Sequence, residues 1–170
     1  MVNDLLDLSL ITTGRIDLEI EKTNISDIVT AVAERLSTRL PDKNLITVVI
    51  QKQIVCMCDK LRIEQAVTNL VTNAIKYGNN KPITITVTNG DDHVKIIVKD
   101  QGIGIPPEQQ KKIYNLFERA VTSKNYQGLG VGLYITNQIV KEHHGRIRLN
   151  SKPNNGSTFT LELPVNGVKK

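Results

Sequence analysis

Apolar positions along this chain switch between a period near 3.6 and a period near 2, the pattern of helices interleaved with strands. Val2, Leu5, Leu6, Leu8 and Ile11 form a helical stripe that Gly14 ends. With no cap before it, the stripe reads as the end of a longer helix. Ile16-Asp-Leu-Glu-Ile20 alternates as a short strand. Ser26 and Asp27 can cap a helix to about Leu40, with Ile28, Val32, Leu36 and Leu40 on one face and Pro41 as its stop. Strands are expected at Ile46–Ile50 and Ile54–Cys58, after which Asp59 caps a strongly periodic helix to Tyr77, closed by Gly78.

Further along, Ile83–Thr88 and Val94–Lys99 flank Asn89-Gly90-Asp91-Asp92, a hairpin signal. A Gly- and Pro-rich loop at Asp100–Pro107 leads into a short helix to about Phe117, and residues 120–128 are polar and aperiodic. Leu129–His144 reads as a helix, and Arg146–Asn150 with Thr158–Leu163 as a last hairpin. Two hairpins preclude a purely parallel sheet. The expected fold is an α/β (α+β) two-layer sandwich, a mixed, mostly antiparallel sheet covered on one face by about three helices.

Composition narrows the function classes. At 170 residues, 39% hydrophobic and 23% charged, the chain suits one globular domain. Its apolar runs are too short to span a membrane, and its first residues lack the basic start of a secretory signal. The net charge of +5 suits phosphate-bearing ligands or acidic partners without singling out either. With 4 Tyr, 2 Phe and no Trp, base-stacking platforms are scarce, which argues against nucleic acid as a partner. Cys56 and Cys58 share one face of a strand and supply half of a tetrahedral metal site at most, so buried, reduced thiols of a cytoplasmic protein are expected.

Three constellations carry chemistry. On the helix 59–77, Ile63, Val67, Leu70 and Ala74 form the buried stripe, and Gln65, Asn69, Asn73 and Tyr77 run beside it with Lys76 one position off. A solvated face would favour Glu, Lys and Arg over the poor helix former Asn. Amide side chains in a row can offer carbonyl oxygens to a hard cation or donate to phosphate. Next, Asp100-Gln-Gly102-Ile-Gly104-Ile105 follows a strand directly, with glycines that let main chain approach a ligand and an acid that can accept a hydrogen bond from it. Position 107 is Pro, which rules out the Rossmann fingerprint. Finally, Gly128-Leu129-Gly130-Val131-Gly132-Leu133 opens a helix, where backbone amides bind anions such as phosphate. No Walker-type loop occurs.

The order of these segments resembles the catalytic, ATP-binding domain of sensor histidine kinases, a branch of the ATPase superfamily with the Bergerat fold. Asn69-Leu-Val-Thr-Asn73-Ala-Ile-Lys76-Tyr77 looks like the N box, Asp100–Gly104 the G1 box and Ile113–Arg119 the F box. Gly128–Leu133 looks like the G2 box and Gly156-Ser157-Thr-Phe159 the last glycine motif. The resemblance implies that residues 16–164 form the catalytic domain, with 1–15 the end of the dimerisation domain's second helix and 165–170 a tail. It implies that Asp100 accepts from the adenine amino group, with Ser157 near the base and Tyr77 stacked beside it. Asn73, with Asn69 beside it, would hold Mg²⁺. Lys76 and Arg119 would meet phosphates, and Gly128, Gly130 and Gly132 would cradle the phosphate tail. Gly102, Gly104, Ile105, Leu129, Val131 and Leu133 complete the implied ATP site, with 120–127 as a lid over it.

Position 69 is Asn where hydrolytic branches of the superfamily carry a general-base Glu, so transfer is favoured over hydrolysis. The family's acceptor histidine precedes the stretch resembled here. Of the histidines present, His93 reads as solvated, and His143 and His144 end a helix where a cation would suit the dipole. His144-Gly145 also matches the family's helix-ending pair. The chain is thus expected to bind ATP and Mg²⁺ without phosphorylating itself. The dimerisation domain and a response-regulator receiver are the implied partners, with a homodimer in the full-length protein and a monomer for these residues alone. A serine kinase of the anti-sigma-factor type and a non-catalytic nucleotide-sensing module are the alternatives.

Overall fold

The computed structural model describes residues 16–50, 52–90, 92–117 and 130–167. The expected helix over 1–15, the lid at 120–127, and Arg119, Gly128 and Leu129 lie outside the described residues.

Strands β2 (Ile46–Ile50), β4 (Ile83–Asn89), β5 (His93–Lys99), β6 (Arg146–Ser151) and β7 (Ser157–Pro164) form one sheet in the order β2-β4-β5-β7-β6. Only the β2–β4 pairing is parallel. Helices α1 (Ile25–Ser37), α2 (Lys60–Tyr77) and α3 (Gly132–Glu142) bury their apolar stripes in the same core as the inward faces of that sheet. This is the two-layer α/β sandwich with a mixed sheet that the periodicity implies. A separate antiparallel ribbon joins β1 (Glu21–Asn24) to β3 (Val55–Cys58).

The period-2 strands alternate cleanly: Ile83, Ile85 and Val87 point inward while Thr84, Thr86 and Thr88 face outward. Helix α2 is the central packing element. Its Ile63, Ala66, Val67, Leu70, Val71 and Ala74 are buried, and each large aliphatic among them contributes about 1.5–3 kcal/mol. Asp59 caps the helix as expected, accepting from the Arg62 amide at 3.0 Å.

Several local expectations fail for identifiable reasons. Ile16–Ile20 forms no strand; Ile16 is buried, but the Glu19 amide donates to the Asp59 side chain at 2.9 Å instead of to a ladder, and pairing starts at Glu21. Helix α1 is capped by Asn24, whose side chain accepts the Ser26 amide at 3.1 Å, and stops at Ser37 rather than Leu40. The short helix before Phe117 shrinks to a 3-10 turn at Lys112–Tyr114. Helix α3 is also shorter than the span Leu129–His144. Gly78 closes α2 with an ordinary φ of −76°, and the left-handed positions fall on Asn79 and Asn80. Cys56 and Cys58 are buried free thiols; the hydrogen bond between them, together with burial, pushes the Cys56 thiol up.

Candidate functional site

Asp100 lies at the end of β5 and is 6% exposed. Its Oδ1 accepts two backbone amides, from Gly102 at 2.8 Å and Ser157 at 3.2 Å. Its own amide donates to the Ser157 carbonyl at 2.9 Å. Oδ2 takes no hydrogen bond from the described residues. Burial raises the carboxyl above its ordinary 3.8, and the two amide donors partly offset that. The result is a sequestered carboxylate with one oxygen held by main chain and the other available as an acceptor.

The loop after Asp100 is wedged between two other segments. The Ile103 amide donates to the Tyr77 carbonyl at 3.1 Å, tying the loop to the end of α2. A Cβ on Gly102 would overlap that same carbonyl, and one on Gly104 (φ +66°) would overlap the carbonyl of Lys152 in the β6–β7 turn. In the structure these two glycines therefore admit neighbouring main chain. On the other side, the Asn154 amide donates to the Ile103 carbonyl at 2.7 Å and the Gly156 amide to the Gly102 carbonyl at 3.0 Å.

Asn69 joins α2 to the start of α3. Its Nδ2 donates to the Gly132 carbonyl at 3.2 Å and to Thr136 Oγ1 at 3.4 Å. With the nitrogen so engaged, Oδ1 is the atom left to accept or ligate. Asn73, one turn on, makes no side-chain hydrogen bond among the described residues. Two amide oxygens a helical turn apart, both half-buried, are a donor set suited to a hard divalent cation such as Mg²⁺. No group of three or more His, Cys, Asp and Glu placed to hold a metal ion occurs among the described residues. Lys76 Nζ lies over the Tyr77 ring, 5.1 Å from its centroid.

Gly132 differs from Gly102. A Cβ there would stand 3.5 Å from the Asn69 amide carbon, ordinary contact, so the described fold does not demand glycine at that position. Gly130, at φ +71°, is in the left-handed region. Val131 and Leu133 are half-buried against the core, as is Ile105.

Sequence reasoning missed Ser151, at the last position of β6, and Gln110. Ser151 Oγ accepts the Ile105 amide at 2.8 Å, donates to the Gly156 carbonyl at 2.9 Å and lies 3.0 Å from Ser157 Oγ. Gln110 Nε2 donates to the carbonyls of Ile105 and Ser151 at 2.9 and 3.0 Å. No periodicity or motif distinguishes these residues; only the approach of three distant segments does.

His143, expected as a helix-end residue where a cation would suit the dipole, is 2% exposed. Its Nδ1 contacts the Ile139 carbonyl at 2.7 Å and its Nε2 takes the Asp59 amide at 3.0 Å, which defines a neutral ring protonated on Nδ1. Burial lowers its pKa from 6.5, against smaller raising effects from the Ile139 carbonyl and Asp59.

The model of the histidine kinase-, DNA gyrase B- and HSP90-like ATPases matches residues 58–167. The chain belongs to this family, as the ATP-binding catalytic domain of a sensor histidine kinase. It is 35% identical over 173 residues to the signal transduction histidine-protein kinase BarA of Escherichia coli strain K12, covering 96% of this chain and 19% of that protein. Among solved structures, the nucleotide-free catalytic domain of the histidine kinase ThkA superposes with a TM-score of 0.74 at 29% identity, covering 87% of this chain and 97% of that one. Full-length ShkA in complex with AMPPNP shares the fold, with a TM-score of 0.82 at 24% identity over 99% of this chain and 36% of that one. No helix among the described residues is long and apolar enough to cross a membrane.

Proposed function

We infer that this chain holds ATP with Mg²⁺ and donates the γ-phosphoryl group to a histidine on a dimerisation domain outside these 170 residues, in a homodimeric, cytoplasmic arrangement. A response-regulator aspartate then receives the phosphoryl group. The observation that carries this reading is the buried carboxylate of Asp100, with Oδ1 fastened to main chain and Oδ2 uncommitted among the described residues. An acceptor so placed suits the 6-amino group of adenine and repels a 6-oxo purine.

The other residues follow from that anchor. Ser157 stands beside the base, Tyr77 packs along it, and Lys76 and Arg119 add positive charge at the phosphates. The backbone amides of Gly130 and Gly132, just before and at the start of α3, together with that of Gly128, meet the phosphate tail. Asn69 and Asn73 supply carbonyl oxygens to Mg²⁺, which when bound neutralises charge on the phosphates. Asn69 cannot accept a proton, so this position positions rather than activating water. Phosphoryl transfer needs little more than alignment and charge neutralisation.

The test is to mix the chain with the separately produced dimerisation domain and ATP labelled at the γ position. Acid-labile label on that domain is the expected result. Acid-stable label would establish a serine kinase instead, and binding of ATP without any transfer would reduce the chain to a nucleotide sensor.

A further inference from the structure

We propose that Ser151 is a positioning residue for base recognition: it orders the proton on Ser157 so that the Ser157 oxygen presents only lone pairs beside Asp100. The proposal rests on the reading of Asp100 and Ser157 as the base site. A serine hydroxyl has one proton and two lone pairs. One lone pair of Ser151 Oγ is taken by the Ile105 amide at 2.8 Å. Its proton has a carbonyl partner at Gly156, 2.9 Å away, which offers only acceptors. The remaining contact, to Ser157 Oγ at 3.0 Å, then requires Ser157 to donate and Ser151 to accept. In the reverse order the Gly156 carbonyl would lose this donor.

Ser157 is itself tied to the anchor, since its amide donates to Asp100 Oδ1 at 3.2 Å. Ser157 is 6% exposed, and its hydroxyl's hydrogen-bond contact among the described residues is to Ser151 Oγ. With that proton turned toward Ser151, the Ser157 oxygen and Asp100 Oδ2 are both acceptors. A pair of acceptors matches an amino group at purine position 6 and opposes a carbonyl there. Gln110 secures the arrangement from outside, bridging the carbonyls of Ile105 and Ser151 at 2.9 and 3.0 Å. Base selectivity thus depends on a hydroxyl that the proposal does not place against the base.

The experiment is calorimetric titration of the chain with ATP and with ITP, which carries oxygen in place of the amino group at position 6 and, with it, a proton on N1. Wild type is expected to prefer ATP by more than about tenfold. Ser151→Ala frees the Ser157 proton to face a 6-oxo group, so the preference should shrink by about five- to tenfold, mainly through improved ITP binding relative to ATP. Ser151→Thr keeps the hydroxyl and should restore the wild-type ratio. In a Ser157→Ala background, Ser151→Ala should leave the ratio unchanged. If the alanine variant does not fold, Ser151→Cys, a weak donor and acceptor, gives the same reading with an intermediate ratio. Equal weakening of ATP and ITP by Ser151→Ala, with the ratio intact, would reduce Ser151 to a loop brace and overturn the proposal. Absence of ATP preference in wild type would instead overturn the base site itself, and the proposal with it.

Discussion

His143 Nε2 accepts the backbone N–H of Asp59 at 3.0 Å, so the last turn of α3 holds the capping residue of α2. Asp59 in turn accepts the amides of Arg62 and Glu19 through its two oxygens. The end of one site helix and the start of the other are therefore joined through a neutral imidazole. This contact works only while Nε2 lacks a proton.

Stability should consequently depend on the ionisation of His143. Its folded pKa lies below its ordinary 6.5, so below that value the unfolded chain takes up a proton that the folded chain refuses. The contribution is present above about pH 6.5 and is lost as pH falls toward the lowered folded value. His143→Ala should destabilise by about 1–3 kcal/mol at neutral pH, by stranding the Asp59 amide, and should flatten the pH dependence. Urea midpoints measured across that window would show it; a variant with the wild-type slope refutes the assignment.

The neighbouring His144 has the opposite expectation. It sits at φ +55°, with its amide donating to Lys141 at 2.8 Å and the Gly145 amide donating to Val140 at 2.8 Å. These are the two bonds of a Schellman ending, whose left-handed residue is normally glycine. His144→Gly should stabilise by about 0.5–1 kcal/mol, read from thermal or urea unfolding. A loss of stability would mean that the imidazole makes a compensating contact.

Asp100→Asn separates binding from folding. Asparagine keeps an oxygen for the Gly102 and Ser157 amides but places an NH₂ where Oδ2 was. ATP affinity should fall about ten- to a hundredfold. The unliganded protein should not lose stability, because burial already disfavours the charge. Calorimetry and a melting curve decide both points, and unchanged ATP affinity would remove Asp100 from the anchor role.

Two glycines of the nucleotide motifs should behave differently. Gly102→Ala forces a methyl group into the Tyr77 carbonyl and should cost more than about 2 kcal/mol of folding stability. Gly132→Ala meets only ordinary contact with Asn69, so the apo fold should keep its stability or gain up to about 1 kcal/mol. Its ATP affinity should nevertheless fall, if phosphate needs that space. Equal destabilisation by both substitutions would contradict the distinction.

Most of the fold was legible from local rules. Helix α2 was placed by its stripe and its Asp59 cap, and the two hairpins by alternation and turn residues, because each is decided by contacts within a short stretch. Errors gathered where a local signal met a competing partner. Ser26 and Asp27 look like caps, yet Asn24 is nearer the turn that tertiary packing selects. Ile16–Ile20 alternates like a strand, but Asp59 captures its Glu19 amide.

The site divides the same way. Sequence alone determined the kinds of groups available: amides along one helix edge, an acid at a strand's end and glycines before a helix. Tertiary structure decided their state. It engaged the Asn69 nitrogen so that its oxygen remains, fastened one oxygen of Asp100 to main chain while leaving the other without a hydrogen bond among the described residues, and brought Ser151 to Ile105, Gly156 and Ser157. Periodicity carries information along the chain, whereas the direction of a hydrogen bond is set by whichever distant donor or acceptor folding brings within about 3 Å.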